Sequence, residues 1–433
     1  FSINHLLWAD DLVLMALDPI TLQLLINVLH EFCQDWGLEV NQDKTQVMIF
    51  NKAGRSQEKH HKFTLGGKTL QHATTYCYLG MVFTLSGSWQ PTMEDRRKKT
   101  LKAYFNMKKT VDQRHLSYKA INTLYDTLVK PVLTYGCQVW LPSTNLVKHL
   151  TREAPANPTE VLKKIAGDEA EKTHLRYIKW TLGTHKKTST IGSWGDSGRP
   201  PILLSVINQT LDYFKRARDA DPSSLLYHTY QDQKNLQLDW HRGITNMINN
   251  FGNHNHQADP DFSNQDVLTN MLETFIETWK IALSQSKKLV LYQSLKDNFG
   301  AEPYLHYVRH QHRSSLTKLR LSSHPLAIET GRYAPHEGTF ARRCRLCAPD
   351  VEDIRHLPFF DPIVEDEFHM LVACPLYHDL RLRLPEEVLS HLLQHDLKSI
   401  FHSNQKIKSL AIYTTAALRR RREHKSFGAN TST

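Results

Sequence analysis

Apolar and polar positions follow a strand-like rhythm at the start of the chain and then change period. Ile3 to Trp8 reads as a strand, Ala9-Asp10-Asp11 as a tight acidic turn and Leu12 to Leu17 as a second strand, which predicts a hairpin with carboxylates at its tip. Asp18 offers an N-cap and Pro19 the first helical position. Leu24, Leu25, Val28, Leu29, Phe32 and Trp36 then recur at helical spacing until Gly37 supplies a stop. Strand patterns return at Val40 and at Val47 to Phe50, Phe63 to Leu70 reads as a hairpin about Gly66-Gly67, and Tyr76 to Leu85 reads as a further apolar strand. The resulting order, ββαββ, predicts a small α+β layer whose sheet needs a helix packed on it.

From Pro91 to Trp140 the period is helical, with a basic stripe at Arg96, Arg97, Lys98, Lys99, Lys102, Lys108 and Lys109 beside Leu101, Tyr104 and Phe105. Residues 151–251 read as mostly helical, with a Gly/Ser/Pro-rich break at Ile191 to Pro201, and 252–265 as a polar linker without periodicity. An amphipathic helix follows from Val267 to Leu283, then a basic, His-rich stretch, a Cys/His cluster at 344–374, and a last helix from Ile407 to Arg422. The expected division is therefore 1–88, 89–150, 151–251, the linker 252–265, and 266–433.

Composition narrows the class. With 433 residues, 40% hydrophobic and 23% charged, the chain is ordinary globular protein of about three domains, and no apolar run reaches the ~18 residues a membrane helix needs. Six cysteines without a signal peptide argue against a secreted disulfide scaffold and for an intracellular protein. Opening at Phe1 inside an apolar run, the sequence reads as the downstream part of something longer. Net charge is +10, unevenly spread: residues 1–50 are net −6, whereas residues 51–150 hold sixteen Lys/Arg against five Asp/Glu, net +11. An acidic head before a basic block suggests a cation-binding site beside a polyanion-binding surface; solvated helix faces are the alternative.

Adjacent aspartates at a hairpin tip suit metal-assisted phosphoryl transfer, because carboxylates are the hard ligands magnesium prefers, although Asp-Asp is also ordinary turn chemistry. The surrounding motifs decide the matter. Trp8-Ala9-Asp10-Asp11, then Gly37-Leu38-Glu39-Val40-Asn41 leading to Lys44-Thr45, Tyr78-Leu79-Gly80, Lys130 to Gly136 with Trp140, and Trp180 to Pro201 together resemble the reverse transcriptases of non-LTR (LINE-type) retrotransposons. The resemblance implies a remnant of a polymerase palm sheet (ββαββ, 1–88) followed by a helical basic thumb (89–150), a helical connector and a mostly helical C-terminal region with a small zinc-binding module. Asp10 and Asp11 would hold the magnesium ions, and Lys44 would face the leaving group, a solvated turn lysine being its alternative. Tyr78, Leu79 and Gly80 would grip the primer end, and Arg96, Arg97, Lys98 and Lys99 would contact nucleic acid. Trp8 departs from the family's usual Phe or Tyr. In the family the fingers and a further catalytic aspartate lie upstream of this hairpin, so the resemblance implies a chain inactive on its own, with deoxynucleotide substrate bound only by the full-length enzyme.

Cys344-x2-Cys347-x21-His369-x4-Cys374 supplies four donors suited to a closed structural zinc site; free core cysteines are the alternative. The long gap comes from a tandem near-repeat, 351–363 followed by 364–376, and removing one copy leaves C-x2-C-x8-H-x4-C. The first copy carries His356 and Asp361 where the second carries His369 and Cys374, and thiolate favours the second copy. The run Arg419 to Arg422 reads as a nucleic-acid or nuclear-import patch, or as a basic helix end. The sequence therefore predicts a fragment of an RNA-directed DNA polymerase, with RNA template, DNA primer or target and no membrane as its partners, in the nucleus and cytoplasm expected of the parent element. The alternative is a domesticated, non-catalytic RNA- or DNA-binding protein.

Overall fold

In a computed structural model of the chain, which describes residues 3–51, 61–153, 155–252, 262–333, 341–344, 347 and 363–429, the opening runs form β1 (His5–Trp8) and β2 (Asp11–Leu14). The two strands pair antiparallel with Trp8 opposite Asp11, and Ala9 takes φ +53° in the turn. Next comes α1 (Pro19–Asp35). Its N-cap Asp18 accepts from the Thr21 amide at 2.9 Å and the Thr21 hydroxyl at 2.7 Å, and the chain leaves the helix through Gly37 at φ +62°. Among the described residues only one side of α1 is covered. Ile26 is buried with Val47, Phe63, Leu65 and Leu70, and Leu22 packs against them. The row Ile20, Leu24, Val28, Phe32 and Trp36, spaced by four, is exposed.

The ββαββ pattern does not close into one sheet. The described strands form four separate pairs: β1 with β2; β3 (Gln46–Val47) with β6 (Gln71–His72), in parallel; β4 (Thr64–Leu65) with β5 (Lys68–Thr69); and β7 (Thr75–Tyr78) with β8 (Met81–Thr84). The turn between β4 and β5 needs Gly66, which sits at φ +56° and where an added Cβ would lie 2.8 Å from the His30 ring. A side chain completes this edge: Gln23 donates to the Thr64 carbonyl at 2.8 Å and accepts from its amide at 2.9 Å. The single strand expected from Tyr76 to Leu85 is a hairpin instead, because Leu79 and Gly80 both take positive φ, +45° and +79°, and reverse the chain.

These elements, with residues 213–242, belong to one compact unit, Phe1–Lys98 plus Tyr213–Arg242; the second comprises Lys99–Asp212 and Gly243–Thr433. Helices dominate the second unit. They include α3 (Tyr118–Leu128), Glu169–Thr181, Thr190–Ser197, Asn264–Ser284 with Ser263 as its N-cap, His310–Arg320 and Asn404–Ala429. The break expected at Ile191 to Pro201 is largely a buried helix: Gly192, Ser193, Trp194, Gly195, Asp196 and Ser197 are all buried. Small residues allow this, since a Cβ at Gly195 would lie 2.4 Å from the Trp279 ring. Most of the expected linker lies outside the described residues.

Candidate functional site

The four predicted soft donors come together. One ligand atom from each of Cys344, Cys347, His369 and Cys374 lies within 4.8 Å of the other three, with Cys347 Sγ 3.2 Å from His369 Nε2 and 3.4 Å from Cys374 Sγ. Local folding explains the arrangement. The Cys374 amide donates to the His369 carbonyl at 2.8 Å, a wide five-residue turn that brings the two ends of His-x4-Cys to one side. The Asp366 side chain accepts from the His369 amide at 2.7 Å and starts that turn. On the other arm, Arg343 bridges Val364, the Cys344 amide donates to the Ile363 carbonyl at 2.8 Å, and the Glu365 amide donates to the Arg342 carbonyl at 2.9 Å. The competing ligands His356 and Asp361 lie outside the described residues.

A platform of buried polar contacts supports the cluster. The Glu365 carboxylate takes both Nε and Nη2 of Arg421, the latter at 2.8 Å, and caps the Ala327 amide at 2.8 Å. Arg381 donates to the Cys374 carbonyl at 2.6 Å, and the Tyr413 hydroxyl donates to the Met370 carbonyl at 2.7 Å. The neighbouring sulfurs, together with burial, push the Cys374 thiol well above the usual range. Three thiols crowded with an imidazole are a poor set of neighbours for one another and a good one for a dication, which would draw off the protons. A tetrahedral zinc with bonds of ~2.3 Å to sulfur spaces its donors by roughly 3.5–3.8 Å, close to the spacings observed. The cluster can hold zinc.

The acidic hairpin is built differently. Asp10 and Asp11 stand exposed at the tip of the β1–β2 ribbon, and Trp8 is 68% exposed beside them. Among the described residues no third acid joins them, because the Cys/His cluster is the one group of three or more potential ligands. Two solvated carboxylates with no third acid and no substrate phosphate beside them hold magnesium only weakly against water, and the expected magnesium site is not supported. Lys44 is exposed in the turn after Asn41, whose side chain accepts from the Lys44 amide at 3.1 Å. Tyr78, Leu79 and Gly80 form the β7–β8 reversal.

Two basic motifs change meaning in the structure. Arg96 was expected on a nucleic-acid face, yet it is buried, donating to the Gly80 carbonyl at 2.6 Å and to Asp95 at 2.8 Å, so it ties the β7–β8 turn to α2 (Gln90–Thr110). Thr92 adds a second tie, accepting from the Val82 amide at 2.9 Å and donating to its carbonyl at 2.7 Å. Lys98 and Lys99 are exposed and Arg97 is half-buried. In the run Arg419 to Arg422, Arg421 is buried on Glu365, whereas Arg420 stays partly exposed while it pairs with Asp379 and donates to the Leu376 carbonyl.

One buried network had no sequence signal. Asp196 and Arg320 are fully buried and meet at 3.0 Å; Asp196 also accepts from the Tyr304 hydroxyl at 2.6 Å, and Arg320 reaches Glu302 at 3.1 Å while sitting 4.6 Å from the Phe401 ring centre. It fastens Thr190–Ser197 to His310–Arg320.

Among known proteins, the chain is 30% identical over 140 residues to a transposon-derived, uncharacterized protein of Caenorhabditis elegans. The match spans 32% of this chain and 49% of that relative, about half its length, and it supports a transposon origin. No protein-family model and no solved structure matches the chain. No helix among the described residues is long and apolar enough to cross a membrane.

Proposed function

We propose that the chain is a piece of a LINE-type RNA-directed DNA polymerase that binds RNA or DNA and does not polymerise by itself. The observation that carries this reading is the acidic tip: Asp10 and Asp11 sit together directly ahead of the capped helix α1, an order that resembles the family's catalytic motif, with no third acid beside them among the described residues. The transposon-derived relative supports the origin. Cys344, Cys347, His369 and Cys374 would hold zinc as a structural ion, since four protein donors leave no open coordination position and the metal's binding free energy is then folding free energy. Exposed Lys98 and Lys99 would contribute phosphate contacts.

The lack of a third carboxylate equally favours the second reading, a domesticated protein that only binds nucleic acid. Genomic sequence upstream separates the two: an open frame encoding fingers and a further aspartate supports the polymerase piece, and a stop codon or an unrelated promoter supports domestication. Binding is tested by titrating the purified chain against labelled RNA and DNA at several salt concentrations. Affinity that falls with salt is expected; no binding to either polymer would overturn both readings.

A further inference from the structure

Within the second unit, cations are laid over aromatic faces in a connected series. The Arg176 guanidinium lies 6.0 Å from the Phe105 ring centre, Lys108 Nζ 5.9 Å from Trp180 and Lys187 Nζ 5.6 Å from Tyr333. Lys179 links the series, its Nζ donating to the Lys186 carbonyl at 3.1 Å. Phe105 is 43% and Tyr333 72% exposed, while Trp180 is half-buried and steadied edge-on by Tyr104 at 5.9 Å.

The acids nearby are already engaged: Glu169 with Lys172 at 2.6 Å, Glu329 with Lys288 and Arg332 at 2.9 Å, and Asp112 with Arg114 at 2.8 Å. Lys108, Arg176, Lys179 and Lys187 therefore have no carboxylate partner among the described residues. Burial and the like charge of Lys288 push Lys179 down to about 8, which marks a spot short of negative charge.

We infer that this face, built on the C-terminal half of α2, the helix Glu169–Thr181 and the turns at Lys187 and Tyr333, is a seat for single-stranded RNA or DNA. The inference rests on the nucleic-acid reading above and names the surface that serves it. A single strand alternates flat bases with phosphates, and the face alternates rings with cations, so bases stack where rings are exposed while the cations meet phosphates. An acidic peptide would use the cations and leave the rings idle. A lipid surface would want a broad apolar patch, whereas the exposed rings Phe105 and Tyr333 stand singly among cations. A duplex keeps its bases stacked inside and offers the rings nothing.

The test is fluorescence anisotropy with the zinc-loaded full chain and four probes: a 20-nucleotide oligo-dT, a 20-nucleotide oligo-U, a mixed-sequence duplex and polyglutamate. The triple variant Lys108→Gln, Arg176→Gln, Lys187→Gln should flatten the log–log salt slope for single strands by about 2, at roughly 0.7 per lost contact, and weaken binding about tenfold or more. Tyr333→Ala should weaken it about tenfold and Tyr333→Phe should restore it. Equal affinity for oligo-dT and oligo-U places recognition on the shared backbone and bases; a strong preference for oligo-U makes RNA the occupant. Thermal melting guards against misfolding. If the folded triple variant keeps the full slope and affinity, or if the duplex or polyglutamate binds more tightly than either single strand, this surface assignment is overturned while nucleic-acid binding stands. Failure of the unmodified chain to bind any polynucleotide overturns the proposed function and this inference together.

Discussion

Deleting the duplicated segment 351–363 tests the zinc assignment at its most exposed point, because it removes thirteen residues from within the site and should leave the site working. Cys347 and His369 are separated by 21 residues, and the deletion leaves eight. Loop closure costs (3/2)RT ln n, so shortening from 21 to 8 favours the closed, metal-loaded state by about 0.9 kcal/mol. Eight residues extend to roughly 26 Å, ample for two donors whose atoms lie 3.2 Å apart. Among the described residues the contact removed is the Ile363 carbonyl that accepts from the Cys344 amide, and after deletion Asp350 directly precedes Val364 in the chain. The Arg343–Val364 bridge and the Glu365–Arg421 pair remain. The purified variant should keep one zinc per chain by atomic absorption and melt about 2 °C higher or at the same temperature, whereas Cys374→Ser should lose the metal. Zinc lost on deletion would refute the reasoning. So would zinc lost in His356→Ala but kept in His369→Ala and Cys374→Ser, an outcome that makes the first copy the ligand donor.

Three further outcomes are expected. Arg320→Met should destabilise the second unit by about 3–5 kcal/mol in denaturant melts, because it strands the buried Asp196, and adding Asp196→Leu should recover much of that loss; a single substitution costing under 1 kcal/mol would show the pair is solvated. Arg96→Ala should cost the first unit about 2 kcal/mol through its lost bond to Gly80 and leave the salt slope of nucleic-acid binding unaltered, while Lys98→Ala should flatten that slope; a slope flattened by Arg96→Ala and unmoved by Lys98→Ala would return Arg96 to the binding face. Purified chain with magnesium, RNA template and DNA primer should give no extension, and extension abolished by Asp10→Ala would show that the two aspartates suffice.

What the sequence made legible was coded by neighbours. Asp18-Pro19 before an apolar run caps a helix whatever the rest of the chain does, Gly66-Gly67 makes a turn, and Cys-x2-Cys with His-x4-Cys states its own geometry. What stayed hidden was decided by partners far along the chain. Arg96 and Arg421 look like solvated cations until Gly80 and Glu365, 16 and 56 residues away, take them. Gly192 and Gly195 look like a break until Trp279, Tyr292 and Leu321 surround the helix they permit. The Tyr76–Leu85 run is uniformly strand-like, and a Leu in the positive-φ region gives no warning of the turn it shares with Gly80. Helical periodicity grouped Leu24, Leu25, Val28, Leu29, Phe32 and Trp36 on α1 but could not say which of them are covered, and Leu24, Val28, Phe32 and Trp36 are exposed.

The two metal-related motifs diverge for one physical reason. Thiolates and imidazole buried together can bind a dication using donors drawn entirely from 344–374, so that site closes within the chain. Hydrated carboxylates cannot: at ~4 Å a unit charge pair in water gains only ~1 kcal/mol, and magnesium surrenders its own water reluctantly, so Asp10 and Asp11 need further oxygens before they compete with solvent. The same first fifty residues also carry the exposed row Ile20, Leu24, Val28, Phe32 and Trp36, an apolar strip of a kind that soluble monomers seldom leave bare. Among the described residues Asp10 and Asp11 lack a third acid and this row is uncovered, two features that polypeptide packed on α1 and carrying a carboxylate would meet together. By resemblance, a LINE-type polymerase supplies this from its fingers and an earlier palm strand. A domesticated binding protein has no use for it, and so upstream sequence that encodes a partner for α1 together with a further aspartate is what separates the two readings.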